Sequence, residues 1–214
     1  MVATRDRLTG APGAEAAGVQ HRSAGLAWTG VARARPGISW EVLAGWPGAT
    51  LVLLVALGAR FVGLDYGLPH SFYADEDKVA SATHAIASSG DLRPIHFFYP
   101  AFWLYVLALA LKLGVDLASL VGGSTPFGPA TLDQPAYVYG MLRAVTATVG
   151  ALSTVALYLL GRSLFTALRL PGAGGYALAS AGFLALSPLH VQHSHVASPD
   201  VPTTAFLIIA AYFT

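Results

Sequence analysis

Residues 46–64 read WPGATLVLLVALGARFVGL, and this stretch decides the class of fold. It matches the roughly 17 to 25 predominantly apolar residues that a transmembrane helix needs. The polar segment ahead of it is too long for the charged lead of a signal peptide, and the apolar run outlasts the short core of such peptides, so the stretch reads as a membrane anchor. Residues 1–45 carry Arg5, Arg7, Arg22, Arg33 and Arg35 with no hydrophobic period, which predicts a disordered cytoplasmic tail.

Composition points the same way. Hydrophobic residues make up 55% of the chain and charged residues only 11%, the profile of an all-α, polytopic integral membrane protein. A net charge of +1 with scattered arginines excludes the basic face that phosphate neutralisation requires, so no nucleic-acid partner is expected. The chain has no cysteine, which removes disulfides and thiolate metal sites.

Four further apolar stretches follow, at residues 99–121, 137–165, 175–189 and 201–214, the last running to the end of the sequence, which reads as a truncation. The basic tail places the N-terminus in the cytoplasm, and Arg162 and Arg169 mark a second cytoplasmic turn. By parity, residues 99–121 cannot be a simple crossing. Lys112 and Asp116 interrupt them, and a charge at mid-bilayer costs about 2.5 to 3.5 kcal/mol on insertion scales, which favours an interfacial or re-entrant helix. Gly172 to Gly175 follow Pro171 and read as a turn rather than a phosphate cradle, since no strand precedes them.

This arrangement brings two polar loops to the outer face. One holds Asp75, Glu76 and Asp77; the other holds His190, His193, His195 and Asp200. Convergent carboxylates and imidazoles suggest an active site. Two neighbouring acids also make chemical sense, because each disfavours ionisation of the other and raises its proton affinity, and a general base contributes about 10² to 10⁴ in rate. Acids equally favour a helix N-terminus, and Asp77 is assigned to capping a helix that begins near Lys78. The spacing of His193, His195 and Asp200 makes a divalent cation a candidate cofactor, although plain hydrogen bonding is the commoner role for such histidines. The aromatic residues Phe97, Phe98, Phe102, Trp103 and Tyr105 read as a headgroup-level belt.

Three groups of residues carry a family resemblance: Phe72-Tyr73-Ala74-Asp75-Glu76 with Ser89-Gly90-Asp91-Leu92-Arg93-Pro94 and Phe97-Phe98-Tyr99-Pro100; the span from Met141-Leu142-Arg143 to Gly161-Arg162; and Leu186-Ser187-Pro188-Leu189-His190 through Ser198-Pro199-Asp200. In order and spacing they resemble membrane glycosyltransferases of the C-type fold, such as protein O-mannosyltransferases and the aminoarabinose transferases of lipid A. The resemblance implies that residues 46–214 are the N-terminal part of a transmembrane glycosyltransferase domain, with interfacial helices in its first outer loop, on a multi-pass protein of the cell membrane.

It further implies inverting transfer from a polyprenyl phosphate sugar to a hydroxyl of a protein or glycan on the outer face. Asp75 would be the base, Glu76 would orient the acceptor or a bound cation, and Asp200 would be the second-loop acid. Arg60 and Arg143 would meet the donor phosphate, because cations at a developing phosphate anion stabilise the transition state; snorkelling to lipid headgroups is their plainer role. Tyr99 and His195 would line the substrate site. Mannosyl transfer to protein ranks just ahead of transfer to a glycolipid or cell-wall glycan, and nothing in the chain fixes the sugar. These residues alone are expected to be inactive. A transporter or a non-catalytic membrane scaffold is the alternative; carboxylates in outer loops rather than at mid-membrane argue against a transporter.

Overall fold

A computed structural model describes residues 44–95 and 98–214. The expected tail, up to residue 43, and Phe97 lie outside the described residues. Helices dominate: α1 (Trp46–Phe61), α2 (Ala74–Ser89), α3 (Ala101–Leu120), α4 (Pro135–Ala167), α5 (Ala173–Leu186), the short α6 (Pro188–Ser194) and α7 (Asp200–Phe213). A small antiparallel hairpin joins α3 to α4, β1 (Ser124–Thr125) pairing with β2 (Gly128–Pro129). Apart from this hairpin of two-residue strands, the regular structure of the described residues is helical, as expected. The run Gly122-Gly123-Ser124-Thr125-Pro126 is rich in turn residues, and Gly122 and Gly123 take positive φ values of 100° and 72°.

Local chemistry accounts for the helix boundaries. Pro47 and Pro135 sit in the first turns of α1 and α4, where a missing N–H costs nothing. α2 ends on Gly90 in the left-handed conformation. Gly172, also left-handed, precedes α5 directly, so the glycine run turns the chain and enters the helix.

Two helices, α3 and α4, are long and apolar enough to cross a membrane; α1, α5 and α7 are shorter apolar helices. α3, for which an interfacial or re-entrant helix was the expectation, runs unbroken through Lys112 and Asp116 and has the length and apolar composition of a crossing helix; both charged residues lie one turn apart on its exposed side. At 1.5 Å per residue α4 is about 50 Å long, well beyond a bilayer core of about 30 Å.

α4 is the spine of the fold. Its first turns supply Tyr137, Val138 and Leu142 to a core shared with Val79 and Ile86 of α2 and Trp103, Leu104, Leu107 and Leu111 of α3. Its later turns pack through small residues: Ala151 against Ala56 of α1 and Ala185 of α5, and Tyr158 against Ala49, Ala177 and Ala181. Large apolar side chains point the other way, with Leu51, Leu54, Leu152, Leu164, Phe183 and Leu207 at least half exposed. Small residues inside and large ones outside is the pattern of helices that associate in lipid. The molecule thus has a bundle of α1, α4, α5 and α7, and a cap of α2, α3 and the hairpin held by the first turns of α4.

Candidate functional site at the α2 N-terminus

The three acids lie in the first turn of α2, not in a loop. Successive helical residues point about 100° apart, so the three carboxylates face different neighbours.

Glu76 points inward and is fully buried. Its Oε1 accepts hydrogen bonds from Arg143 Nε at 2.8 Å and from the Ala197 amide at 3.0 Å. Its Oε2 accepts from Arg143 Nη2 at 2.7 Å and Ser71 Oγ at 3.0 Å. Arg143 Nη1 donates to the carbonyls of Leu64 at 3.2 Å and Tyr66 at 2.9 Å. One bidentate pair therefore ties together the α1–α2 connection, α2, α4 and the α6–α7 connection.

Asp75 points outward, its side chain about half exposed. Its Oδ1 accepts from Tyr99 hydroxyl at 2.8 Å and from Lys78 Nζ at 3.3 Å. Oδ2 takes no hydrogen bond among the described residues. Tyr99 first, and Lys78 second, hold the Asp75 carboxyl below the usual carboxylate range. Burial and then the Asp75 charge push Tyr99 up to about 12, so the phenol keeps its proton and remains a donor. Asp77, expected to cap the helix, instead accepts from Tyr139 hydroxyl at 2.6 Å; the N-cap residue is Tyr73, with no side-chain cap.

Asp200 opens α7, and its Oδ2 lies 3.1 Å from both His193 Nδ1 and Ser198 Oγ. His193 meets Tyr73 edge-on, with ring centroids 6.1 Å apart. The two polar segments meet through the Tyr73–His193 ring contact and the Ala197 amide on Glu76, with Asp75–Tyr99 on one segment and His193–Asp200 on the other.

The remaining candidates are committed to the backbone. His195 places Nδ1 2.9 Å from the Val191 carbonyl and Nε2 3.0 Å from the Val62 carbonyl, which leaves no ring lone pair directed at a ligand. Among the described residues no group of three His, Cys, Asp or Glu side chains could hold a metal ion.

Arg60 is fully buried, and all five N–H hydrogens are engaged: Nε on Ser194 Oγ at 3.2 Å, Nη1 on the Ala56 and Ala185 carbonyls at 3.0 and 3.1 Å, and Nη2 on the Leu184 carbonyl at 3.2 Å and His190 Nδ1 at 2.9 Å. Arg60 is therefore a cap on the C-terminal carbonyls of α5 and of its own helix, where a cation also meets the negative dipole end. A phosphate could reach it only by displacing these partners. Because the guanidinium can only donate, His190 Nδ1 accepts, and burial with the adjacent Arg60 pushes His190 down to about 4. Gly150 makes room for this knot, since a Cβ there would lie 2.5 Å from Ser194 Oγ and 3.1 Å from Arg60 Nε.

Tyr139, Ser71, Ser194 and the Ala197 amide are contributors that sequence reasoning missed, and His190, named there only as one of three loop histidines, turns out to accept from Arg60. A legible signal existed for Gly150, one of few glycines inside a long helix. The backbone amide of Ala197 had none.

No family model, curated protein or solved structure matches the chain.

Proposed function

We propose that this chain is part of a membrane-embedded, inverting glycosyltransferase that moves a sugar from a polyprenyl phosphate to a hydroxyl acceptor outside the membrane. The observation that carries the reading is the Asp75 carboxylate: one oxygen is fixed by Tyr99 and Lys78, and the other takes no hydrogen bond among the described residues, where two polar segments meet. Two helices long enough to cross a membrane, and small-residue packing with large apolar residues outward, support the membrane setting. The finer elements, a polytopic C-type fold with the N-terminus cytoplasmic, belong to the same proposal.

In this reading the acceptor oxygen attacks the anomeric carbon while the bond from that carbon to the phosphate oxygen breaks. The lipid phosphate leaves with the bonding electrons, the configuration inverts, and Asp75 Oδ2 takes the hydroxyl proton. The low proton affinity of Asp75 keeps it ionised at neutral pH. Asp200 and His193 approach from the second segment to orient the acceptor. With Arg60 and Arg143 engaged inside the fold, Lys78, half-exposed and 3.3 Å from Asp75, is the cation best placed to meet the leaving phosphate.

The test is to supply membranes containing the full-length transferase of which this chain is proposed to be part with a panel of radiolabelled polyprenyl phosphate sugars and determine the anomeric configuration of any product. Label in protein or glycan with inverted configuration supports the reading. Retained configuration, or label from no donor, rejects it.

A further inference from the structure

A cavity of about 360 Å³ lies beside the Glu76–Arg143 pair, walled by Tyr66, Phe72, Tyr73 and Gln192. We propose that this cavity is a subsite for a neutral monosaccharide unit, a pyranose recognised through its C–H face and its hydroxyls rather than through charge. The inference names a substrate class for the site just proposed and rests on that reading for its role, but the binding it describes is measured without turnover.

Charge decides against a phosphate here. The only guanidinium among the described residues that faces the cavity is already neutralised by a bidentate carboxylate at 2.7 and 2.8 Å, and its Nη1 is spent on two carbonyls. An incoming dianion would compete with Glu76 for Arg143 and would meet the carboxylate at close range. His195, also on the wall, has both ring nitrogens on backbone carbonyls.

What the cavity offers instead is neutral. The Tyr66 and Tyr73 hydroxyls and the Gln192 amide make no hydrogen bond among the described residues, which leaves donors and acceptors of both senses for sugar hydroxyls. Tyr66 and Phe72 form a tilted pair with centroids 6.2 Å apart, and both rings are more than three-quarters exposed. The electron-rich face of an aromatic ring attracts the polarised C–H bonds on the flat side of a pyranose. The backbone fixes this platform: Gly67 has φ of 79°, and a Cβ there would collide with the Phe72 ring. The volume lies at the small end of ligand pockets, about 300 to 1,000 Å³, which suits one sugar ring and excludes a folded acceptor. Tyr73 and Glu76, both on the wall, stand two residues before and one residue after Asp75 in the chain, while the Asp75 side chain itself points outward and is not among the described lining residues.

Saturation-transfer NMR on the intact protein in lipid nanodiscs tests this, with methyl mannoside, methyl glucoside and methyl galactoside as probes and inorganic phosphate as competitor. At least one glycoside should receive saturation at its ring C–H protons, and phosphate should not displace it. Tyr66→Ala and Gln192→Ala, both at exposed positions, should each weaken binding by roughly two- to tenfold, the worth of one hydrogen bond or ring contact. Displacement by phosphate, binding undiminished in both variants, or saturation of no glycoside overturns the subsite. Glycoside binding by a protein that transfers no sugar would uphold the subsite and reject the transferase reading.

Discussion

Replacing Glu76 by Ala strands Arg143 beneath the cap. The wild-type pair is almost completely dry, with 5% and 0% of the two side chains exposed. The variant leaves Arg143 Nε and Nη2 and the Ala197 amide without their acceptor at once, while Ser71 Oγ keeps only the Tyr73 carbonyl as acceptor. Removing one partner of a buried ion pair costs about 3–5 kcal/mol, because an uncompensated charge stays in a poor solvent. For a chain of this size that is a fall in Tm of roughly 6–20 °C. Replacing both residues, Glu76→Ala with Arg143→Met, removes the stranded charge and should recover part of the loss, so the double-mutant cycle gives a coupling of a few kcal/mol. Reversible denaturation in mixed micelles reads these energies, and hydrogen exchange at the Ala197 amide reports whether the second polar segment has come free. A loss below about 1 kcal/mol, the worth of an exposed ion pair, would refute the assignment of Glu76 as the buried brace.

Tyr99→Phe removes the largest of the influences holding Asp75 down, so its pKa should rise toward the ordinary carboxylate value. Stability from this depressed group is present above the unfolded pKa and is lost as pH falls through the folded one, so the variant should begin to lose it at higher pH; carboxyl carbon NMR of labelled Asp75 follows the titration directly. His190, held at about 4 against an ordinary 6.5, should make the protein less stable as pH falls from 6.5 through 4, since the unfolded chain binds the extra proton first. His190→Asn should flatten that slope in acid unfolding curves. Gly150→Ala should destabilise by about 1–3 kcal/mol, because its methyl enters the Arg60–Ser194 contact. Gly58→Ala, where no atom lies within 4 Å, should instead stabilise by about 0.5–1 kcal/mol in the same denaturation assay.

The helical stretches were legible because long apolar runs bounded by proline and glycine leave few alternatives. Their packing was less so. Asp75 and Glu76 read as a pair of reacting acids, yet the helix beginning at Ala74 turns one to solvent and the other into the core. The stripe Glu76, Val79, Ala80, Thr83, Ile86 and Ala87 keeps helical spacing and marks Glu76 as inward, a signal that extending the helix one turn earlier would have revealed. Arg60 follows the buried Ala56 by four residues and shares its face. Its nearness to the helix end suggested the outer surface, but the carbonyls of Leu184 and Ala185, distant in sequence, take it inside. Tyr99 was read as lining the substrate site, but its contact with Asp75 was not legible, because it spans 24 residues and depends on the return of the chain into α3, which no local pattern encodes.

The central claim is that Asp75, and neither of its neighbours, is the base. The most direct measurement compares sugar transfer from a polyprenyl phosphate donor in membranes bearing the wild type, Asp75→Asn or Asp77→Asn. Loss of about 10² to 10⁴ in rate for Asp75→Asn, with an unchanged unfolding midpoint and little effect of Asp77→Asn, is the predicted result. Transfer indifferent to Asp75→Asn would contradict the account.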